Sequence, residues 1–421
     1  MGAEATDNLE TATAAVNERR LWKRHLDMAK IGQTPKGGVD RQALTPEDIQ
    51  ARALLADWAA ELGFEIAMDE IGNMFVRRNG IERDAAPVMT GSHIDTQPTG
   101  GRFDGIYGVL AGLEALQAIE DAGIATRRPL EAVVWTNEEG SRFMPGCMGS
   151  SVFAEPDRLE QMLCSEDVDG VTVTKALTEL RMAMPGVRAR PLGSEVAAFI
   201  EAHIEQGPEL EATNNTIGIV TGIQGTRRFL IEVHGEDAHA GTTPRKHRRD
   251  ALSAAVAMVG GLERLMYDEH DTIRFTVGRF VVSPNAPSVV PGHVAFTIDF
   301  RQPEQEILTR LGDQVETVCR ENARACAVKV SETSQTAPIK FEGLVPDTIN
   351  SVAKRLDLPH MHIYSGASHD AQNLIKICPT GMIFVPCEKG ISHNEAENAA
   401  PGDLAAGARV LAGVMVAIAN R

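Results

Sequence analysis

Gly91-Ser-His-Ile-Asp-Thr-Gln-Pro-Thr-Gly-Gly-Arg-Phe-Asp-Gly-Ile-Tyr-Gly108 sets His93, Asp95 and Asp104 among five glycines. The residues just before it, Pro87 to Thr90, read as the end of a short strand. Those after it, Val109 to Ile119, read as a helix with an apolar face. The polar cluster therefore sits where a strand hands over to a helix, the end of a strand at which ligands gather in open α/β sheets. Two readings compete: a metal site, or a glycine-rich turn whose aspartates cap the next helix. The stretches that share its character elsewhere in the chain decide between them.

Working outward, Leu130 to Thr136 reads as a strand running straight into Asn137-Glu138-Glu139-Gly140, and Ala197 to Gly207 brings His203, Glu205 and Gln206 to the end of another. Strand–helix–strand spacing of this kind predicts an α/β fold with a mostly parallel sheet flanked by helices. Upstream, residues 8–31 read as one opening helix. Thr45-Pro-Glu-Asp48 starts a second helix over 46–62, and residues 64–69 and 73–78 alternate like a hairpin. Residues 141–195 are mixed helix and loop. Region 217–335 changes rhythm to β-α-β-β-α-β, with a strand-like run at 217–234, and matches a ferredoxin-like module able to fold as an inserted domain. A helix near 346–356, a strand at 381–386 and a helix at 403–419 then resume the first pattern. The expected organisation is a discontinuous domain of residues 1–216 and 336–421 carrying an inserted domain of 217–335.

Hydrophobic content of 43% and charged content of 24% over 421 residues are those of a globular chain of two or three domains. A net charge of −17 argues against nucleic acid and anionic membranes as partners, since phosphate surfaces demand a basic face. We read no apolar run of about twenty residues and no basic-then-apolar leader, so the expected compartment is the cytoplasm. Cys147, Cys164, Cys319, Cys326, Cys378 and Cys387 show no Cys-x-x-Cys spacing and read as free thiols.

Four separated stretches offer metal-type ligands at loop positions: His93 with Asp104, Glu138 with Glu139, His203 with Glu205, and His393 in Gly390-Ile-Ser-His-Asn394. Histidine with carboxylate suits zinc, manganese, cobalt or nickel. Two ions sharing one carboxylate would need about five protein ligands, which these stretches supply. Adjacent glutamates repel unless a cation or proton lies between them. At a strand end they point apart, so one can ligate while its neighbour serves as a base. His234, His360 and His362 read as structural.

Taken together, these stretches resemble the hydantoinase/carbamoylase group of dinuclear-metal amidohydrolases, which includes N-carbamoyl-amino-acid hydrolases, β-ureidopropionases and allantoate amidohydrolases. The resemblance rests on residues 91–105, Thr-Asn-Glu-Glu-Gly-Ser-Arg-Phe (136–143), His-Ile-Glu-Gln-Gly-Pro (203–208), Gly-Glu-Asp-Ala-His-Ala-Gly-Thr-Thr-Pro (235–244), Asn-Ala-Pro-Ser-Val-Val-Pro-Gly (285–292), Asp-Phe-Arg (299–301) and Gly-Ile-Ser-His-Asn (390–394). It implies a metallopeptidase-like catalytic domain, an inserted lid and dimerisation domain, a homodimer, and two divalent ions per subunit. Asp104 would bridge the ions, with His93 and His203 completing one site and Glu139 and His393 the other. Asp95 would hold the second nitrogen of His93, and Glu138 would be the general base. Gln206, Asn285 and Arg301 would bind the substrate, and His239 of a partner subunit would stabilise the oxyanion. The group commonly has Gly-Ala-Gly-His-Asp where this chain has Gly366-Ala-Ser-His-Asp370, which puts the Ser368 side chain beside the expected pocket.

The implied activity is hydrolysis of the carbamoyl C–N bond of an N-carbamoyl amino acid, α or β, to the amino acid, ammonia and carbon dioxide. The wording of residues 95–101 and 136–143 is nearest to β-ureidopropionase-like members. Same-chemistry alternatives are an allantoate or ureidoglycolate amidohydrolase and, further off, a dipeptidase or aminoacylase. A reading of another class is a non-catalytic binding protein that retains the fold.

Overall fold

The computed structural model describes residues 3–421, the side chains of 3–6 excepted. The chain forms two compact units, Met1–Thr221 with Phe341–Arg421, and Gly222–Lys340.

The larger unit is built on a mixed sheet. From Ile217–Ile223 the order runs through Thr380–Val385, Ala198–Ile204, Val88–His93, Leu130–Trp135, Met74–Arg78 and Glu65–Met68 to Arg188–Ala189. The four strands from Thr380–Val385 to Leu130–Trp135 are parallel. Every residue in them is buried, as expected for strands covered on both faces. The sheet is mixed because Met74–Arg78 and Ile217–Ile223 flank this block antiparallel. Three of the ligand-bearing stretches leave the carboxyl ends of these parallel strands, and the fourth follows Thr380–Val385 by a few residues.

Two expectations are corrected by the helices. The opening helix of 8–31 is two helices, Ala3–Ala15 and Glu18–Met28. Asn17 interrupts them: its Oδ1 accepts the Arg20 N–H at 3.1 Å, and its own N–H donates to Glu114 Oε1 at 2.7 Å. The apolar stretch that the sequence reading passed over is Pro401–Ala419, a helix long and apolar enough to cross a membrane, yet 78% buried inside the protein. It packs on helix Ile106–Asp121, where the Tyr107 hydroxyl donates to Leu404 O at 3.0 Å. A Cβ at Gly407 would lie 2.1 Å from that hydroxyl, so the close approach requires glycine.

The smaller unit has a four-stranded antiparallel sheet in the order Arg274–Ser283, His293–Gln302, Gly225–His234, Ala327–Thr336. Helices Ala251–Met266 and Gln305–Glu321 share its core with Phe229, Ile231, Val233, Phe296 and Phe300. The chain order of these elements is β-α-β-β-α-β, with a short extra ribbon of Ala238–His239 against Val289–Val290. The run 217–234 is two strands, not one. Ile217–Ile223 is buried on almost every residue and belongs to the large sheet, whereas Gly225–His234 alternates buried and open and belongs to the small one.

Candidate metal centre

The glycines of residues 91–108 let backbone and side chains crowd together. Gly91 has φ +141, and a Cβ there would lie 2.0 Å from Val133 O; Gly105 has φ +65, and a Cβ there would lie 2.2 Å from the His93 ring. No aspartate caps the following helix: its N-cap is Gly105, without a side-chain hydrogen bond. The capped-turn reading therefore fails, and the aspartates do other work.

Asp104 is buried and shared by two groups of possible ligands. His93, Asp104 and His203 form one, and Asp104, Glu139 and His393 the other, with the ligand atoms of each within 4.8 Å of one another. Asp104 Oδ1 lies 3.3 Å from His203 Nε2, and Oδ2 lies 3.2 Å from His393 Nε2, which is 3.4 Å from Glu139 Oε2. In both buried histidines a backbone carbonyl fixes Nδ1: Asp95 O for His93 and Ile204 O for His203, each at 2.8 Å. Nε2 is thereby aimed inward, the usual arrangement of a metal-binding imidazole.

Asp95 differs from expectation. The contact to His93 comes from its backbone carbonyl. Its carboxylate instead accepts the N–H groups of Glu138 at 3.2 Å and Glu139 at 3.1 Å, while the carboxylate oxygen nearer the ring lies 3.9 Å from His93 Nδ1. Asp95 thus ties the loop of the two glutamates to that of His93. Glu205 also leaves the centre, accepting the N–H groups of Glu209 and Leu210 at 2.8 and 2.9 Å.

Charge balance shows what the centre lacks. Burial pushes Glu138 well above the usual carboxylate range, reinforced by Asp370, Glu139, Asp95 and Asp104. Burial and Asp104 raise Glu139 to about 8. Against burial, the hydrogen bonds of His203 and His393 hold Asp104 well below its ordinary value. Those two imidazoles rise to about 9, His203 despite its burial and His393 chiefly through its bond to Asp104. Burial takes His93 down to about 4, leaving it neutral. Several carboxylates thus compete for positive charge in a dry place, the deficit a divalent cation fills. Gln206 points the same way: its Nε2 donates to Asp104 Oδ2 at 3.0 Å, and its buried Oε1 has no partner among the described residues. The donor set fits a divalent metal of the zinc–manganese type.

Sequence reading missed several contributors. Gln97 Nε2 donates to Glu139 Oε2 at 2.8 Å. Glu397 accepts the N–H groups of Phe103 and Asp104 at 2.8 and 3.0 Å, and Ser392 Oγ lies 3.1 Å from Asp104 Oδ2. The Cys147 thiol donates to Glu138 Oε1 at 3.3 Å, and the His369 and His203 rings stand edge to face, 4.6 Å between centroids. Gln97, Ser392 and His369 lie within motifs quoted from the sequence, whereas Glu397 and Cys147 do not. Ser368 is exposed, next to buried His369.

His239, Asn285 and Arg301 belong to the smaller unit. His239 is exposed, and its Nδ1 accepts the N–H groups of Gly241 and Thr242 at 3.0 and 3.1 Å, which places its hydrogen on Nε2. Asn285 is exposed with φ 57, and Arg301 Nε donates to Asp299 Oδ1 at 3.2 Å.

Comparison with known proteins shows the family. Residues 89–417 match Peptidase family M20/M25/M40. The chain is 39% identical over 401 residues to N-carbamoyl-L-amino-acid amidohydrolase of Rhizobium meliloti, covering 94% of this chain and 95% of that one. It is 33% identical to allantoate amidohydrolase of Bacillus subtilis (strain 168), covering 93% and 95%. A solved amidase of the hydantoinase/carbamoylase family from Burkholderia multivorans superposes with a TM-score of 0.92 at 45% identity, over 96% of this chain and 98% of that one. The chain belongs to Peptidase family M20/M25/M40, a family of metal-dependent hydrolases, and within it to the hydantoinase/carbamoylase group of amidases.

Proposed function

We propose that the chain is an amidohydrolase with two divalent ions per subunit that cleaves the carbamoyl C–N bond of an N-carbamoyl amino acid. The observation that carries this reading is the pair of ligand groups sharing Asp104, with Glu138 beside them. Relatives named N-carbamoyl-L-amino-acid amidohydrolase, from several bacteria, support the substrate class. His93 and His203 would hold one ion and Glu139 and His393 the other, with Asp104 a ligand available to both; zinc, manganese, cobalt and nickel all suit these donors. When bound, such ions polarise a carbonyl and bring the pKa of water from about 15.7 towards about 7.

Glu138 Oε2 lies 3.5 Å from His93 Nε2, at the inner edge of the ligand set. Its raised proton affinity suits a base that takes a proton from water and returns it to the leaving nitrogen. His239, from the partner subunit of a homodimer, offers its Nε2–H to the carbonyl oxygen as charge develops there. Arg301 presents a planar fork to the substrate carboxylate, with Asn285 and Gln206 completing recognition and Ser368 limiting bulk at the pocket. The carbamic acid released falls apart to ammonia and carbon dioxide. The six free cysteines agree with a cytoplasmic enzyme.

The test is ammonia release from a panel of N-carbamoyl α- and β-amino acids, allantoate and ureidoglycolate, using chelator-stripped protein reloaded with zinc or manganese. Turnover of the N-carbamoyl compounds supports the reading. Preference for allantoate moves it to the ureido alternative, and no turnover with any metal rejects it.

A further inference from the structure

We infer that the smaller unit carries a separate transition-metal site made by Glu232, His234 and His293, on the open face of its sheet. Glu232 and His234 stand two residues apart on strand Gly225–His234, so both side chains leave the same face. His293 is the register partner of His234 on the neighbouring antiparallel strand, where facing side chains come within contact distance. The two imidazole rings are 4.9 Å apart between centroids. One ligand atom from each of the three residues lies within 4.8 Å of the others. Between Glu232 and His234, Val233 points the opposite way, into the core, as does Val294 after His293. The three ligands therefore stand on a base packed into the core, with His234 exposed and Glu232 and His293 half-buried.

Two imidazoles and a carboxylate select zinc, nickel or copper over magnesium or calcium, which prefer all-oxygen surroundings. A charged neighbour opposing a cation is Lys329, whose Nζ is 3.0 Å from Glu232 Oε2. Its side chain is 68% exposed, so this is a surface ion pair of small weight that an arriving ion displaces. His234, which by sequence alone reads as structural, thereby acquires a ligand role.

The position gives the site a consequence. Immediately beyond the histidine pair, Gly235 N–H donates to Gly292 O at 2.7 Å and Gly292 N–H to Asp237 Oδ1 at 2.7 Å. The same two chain segments then form the ribbon in which His239 faces Val289. An ion across His234 and His293 clips the root of the ribbon that carries His239.

The experiment compares the full chain with His234→Ala/His293→Ala after equilibrium dialysis against micromolar zinc, counting ions per chain by atomic emission. The double variant is expected to hold one ion fewer per chain; an equal count overturns the proposal. Copper(II) titration supplies a second readout, independent of activity: with the two-histidine set of the Asp104 centre removed by His93→Ala/His203→Ala in both proteins, a spin-resonance signal split by two nitrogens is present while His234 and His293 are native and lost when both are alanine. Its persistence in the variant likewise overturns the site. Because both readouts count ions and not turnover, failure here leaves the proposed amidohydrolase activity standing, and the reverse also holds.

Discussion

Glu138 combines burial, a thiol donor and four surrounding carboxylates, and each raises the cost of removing its proton or fixes where it points. Glu138→Gln keeps the side-chain volume but abolishes proton acceptance. The expected outcome is a fall in kcat of at least about a hundredfold with metal content unchanged. If metal content falls instead, Glu138 is a ligand and its role has been exchanged with that of Glu139. Arg301→Ala is expected to raise KM for carboxylate-bearing substrates with less effect on kcat, and to spare a carboxylate-free analogue; equal losses for both reject carboxylate recognition. Of the individual residues, the histidines and carboxylates around Asp104 were legible because each lies in a short polar stretch at a strand end. Glu397 and Cys147 were not, since each meets the centre only through tertiary folding. Asp95 was placed correctly in space but acts through different atoms: the tautomer of His93 is set by a main-chain carbonyl, which no side-chain identity encodes. Asn137, Gln206 and His393 all adopt positive φ, one in each of three ligand loops. Such backbone costs of order 1–3 kcal/mol, and although Asn and His tolerate it better than most side chains, residue type alone did not place it at these three positions.

Helix Glu18–Met28 meets helix Ile106–Asp121 through His25, whose ring lies 5.4 Å from that of Phe103 and 6.1 Å from that of Tyr107. Both His25 ring nitrogens are buried without a partner among the described residues, and burial lowers its pKa from 6.5 to about 3. Below pH 6.5 the unfolded chain takes up a proton that the folded one refuses until about pH 3. Stability therefore falls through that window as pH drops, by up to about 1.4 kcal/mol per unit. His25→Phe keeps an aromatic ring at the contact and removes the proton site. Urea unfolding from pH 7 to pH 4 should show the native chain losing about 3 kcal/mol more than the variant; parallel losses would contradict a neutral buried His25. Elements were read from periodicity, and periodicity explains both successes and failures. The change of rhythm marked the strands of the smaller unit, but the run 217–234 concealed a change from two-sided to one-sided burial. The apolar residues of 403–419 marked a helix without showing that it is wrapped on nearly all sides by Ile106–Asp121 and its neighbours.

At the scale of the molecule, the net charge of −17 does not by itself show that much of the acidity is interior. Asp95, Asp104, Glu201, Asp370 and Glu397 are all buried in the larger unit. Ions that bind only the folded state add stability, about 2.7 kcal/mol at a hundredfold excess over Kd. Chelation should therefore increase hydrogen exchange in residues 91–108, 136–142 and 390–397, while helices Ala251–Met266 and Gln305–Glu321 keep their protection. Uniform loss across both units would mean that the metals act on the whole chain and not on one centre. The change of rhythm at 217–335 was visible in sequence because a contiguous module keeps its own pattern. The larger unit is assembled from two distant segments, and this has a consequence for synthesis. Domains generally fold as their residues emerge, and residues 222–340 form a complete unit as soon as residue 340 is made. The larger unit must still wait for Thr380–Val385, which pairs between Ala198–Ile204 and Ile217–Ile223, and then for Pro401–Ala419. Until then, the face of Ile106–Asp121 that Pro401–Ala419 covers stays open, the kind of exposed apolar surface that invites aggregation. A segment made long after Ile106–Asp121 is thus what closes the core around that helix.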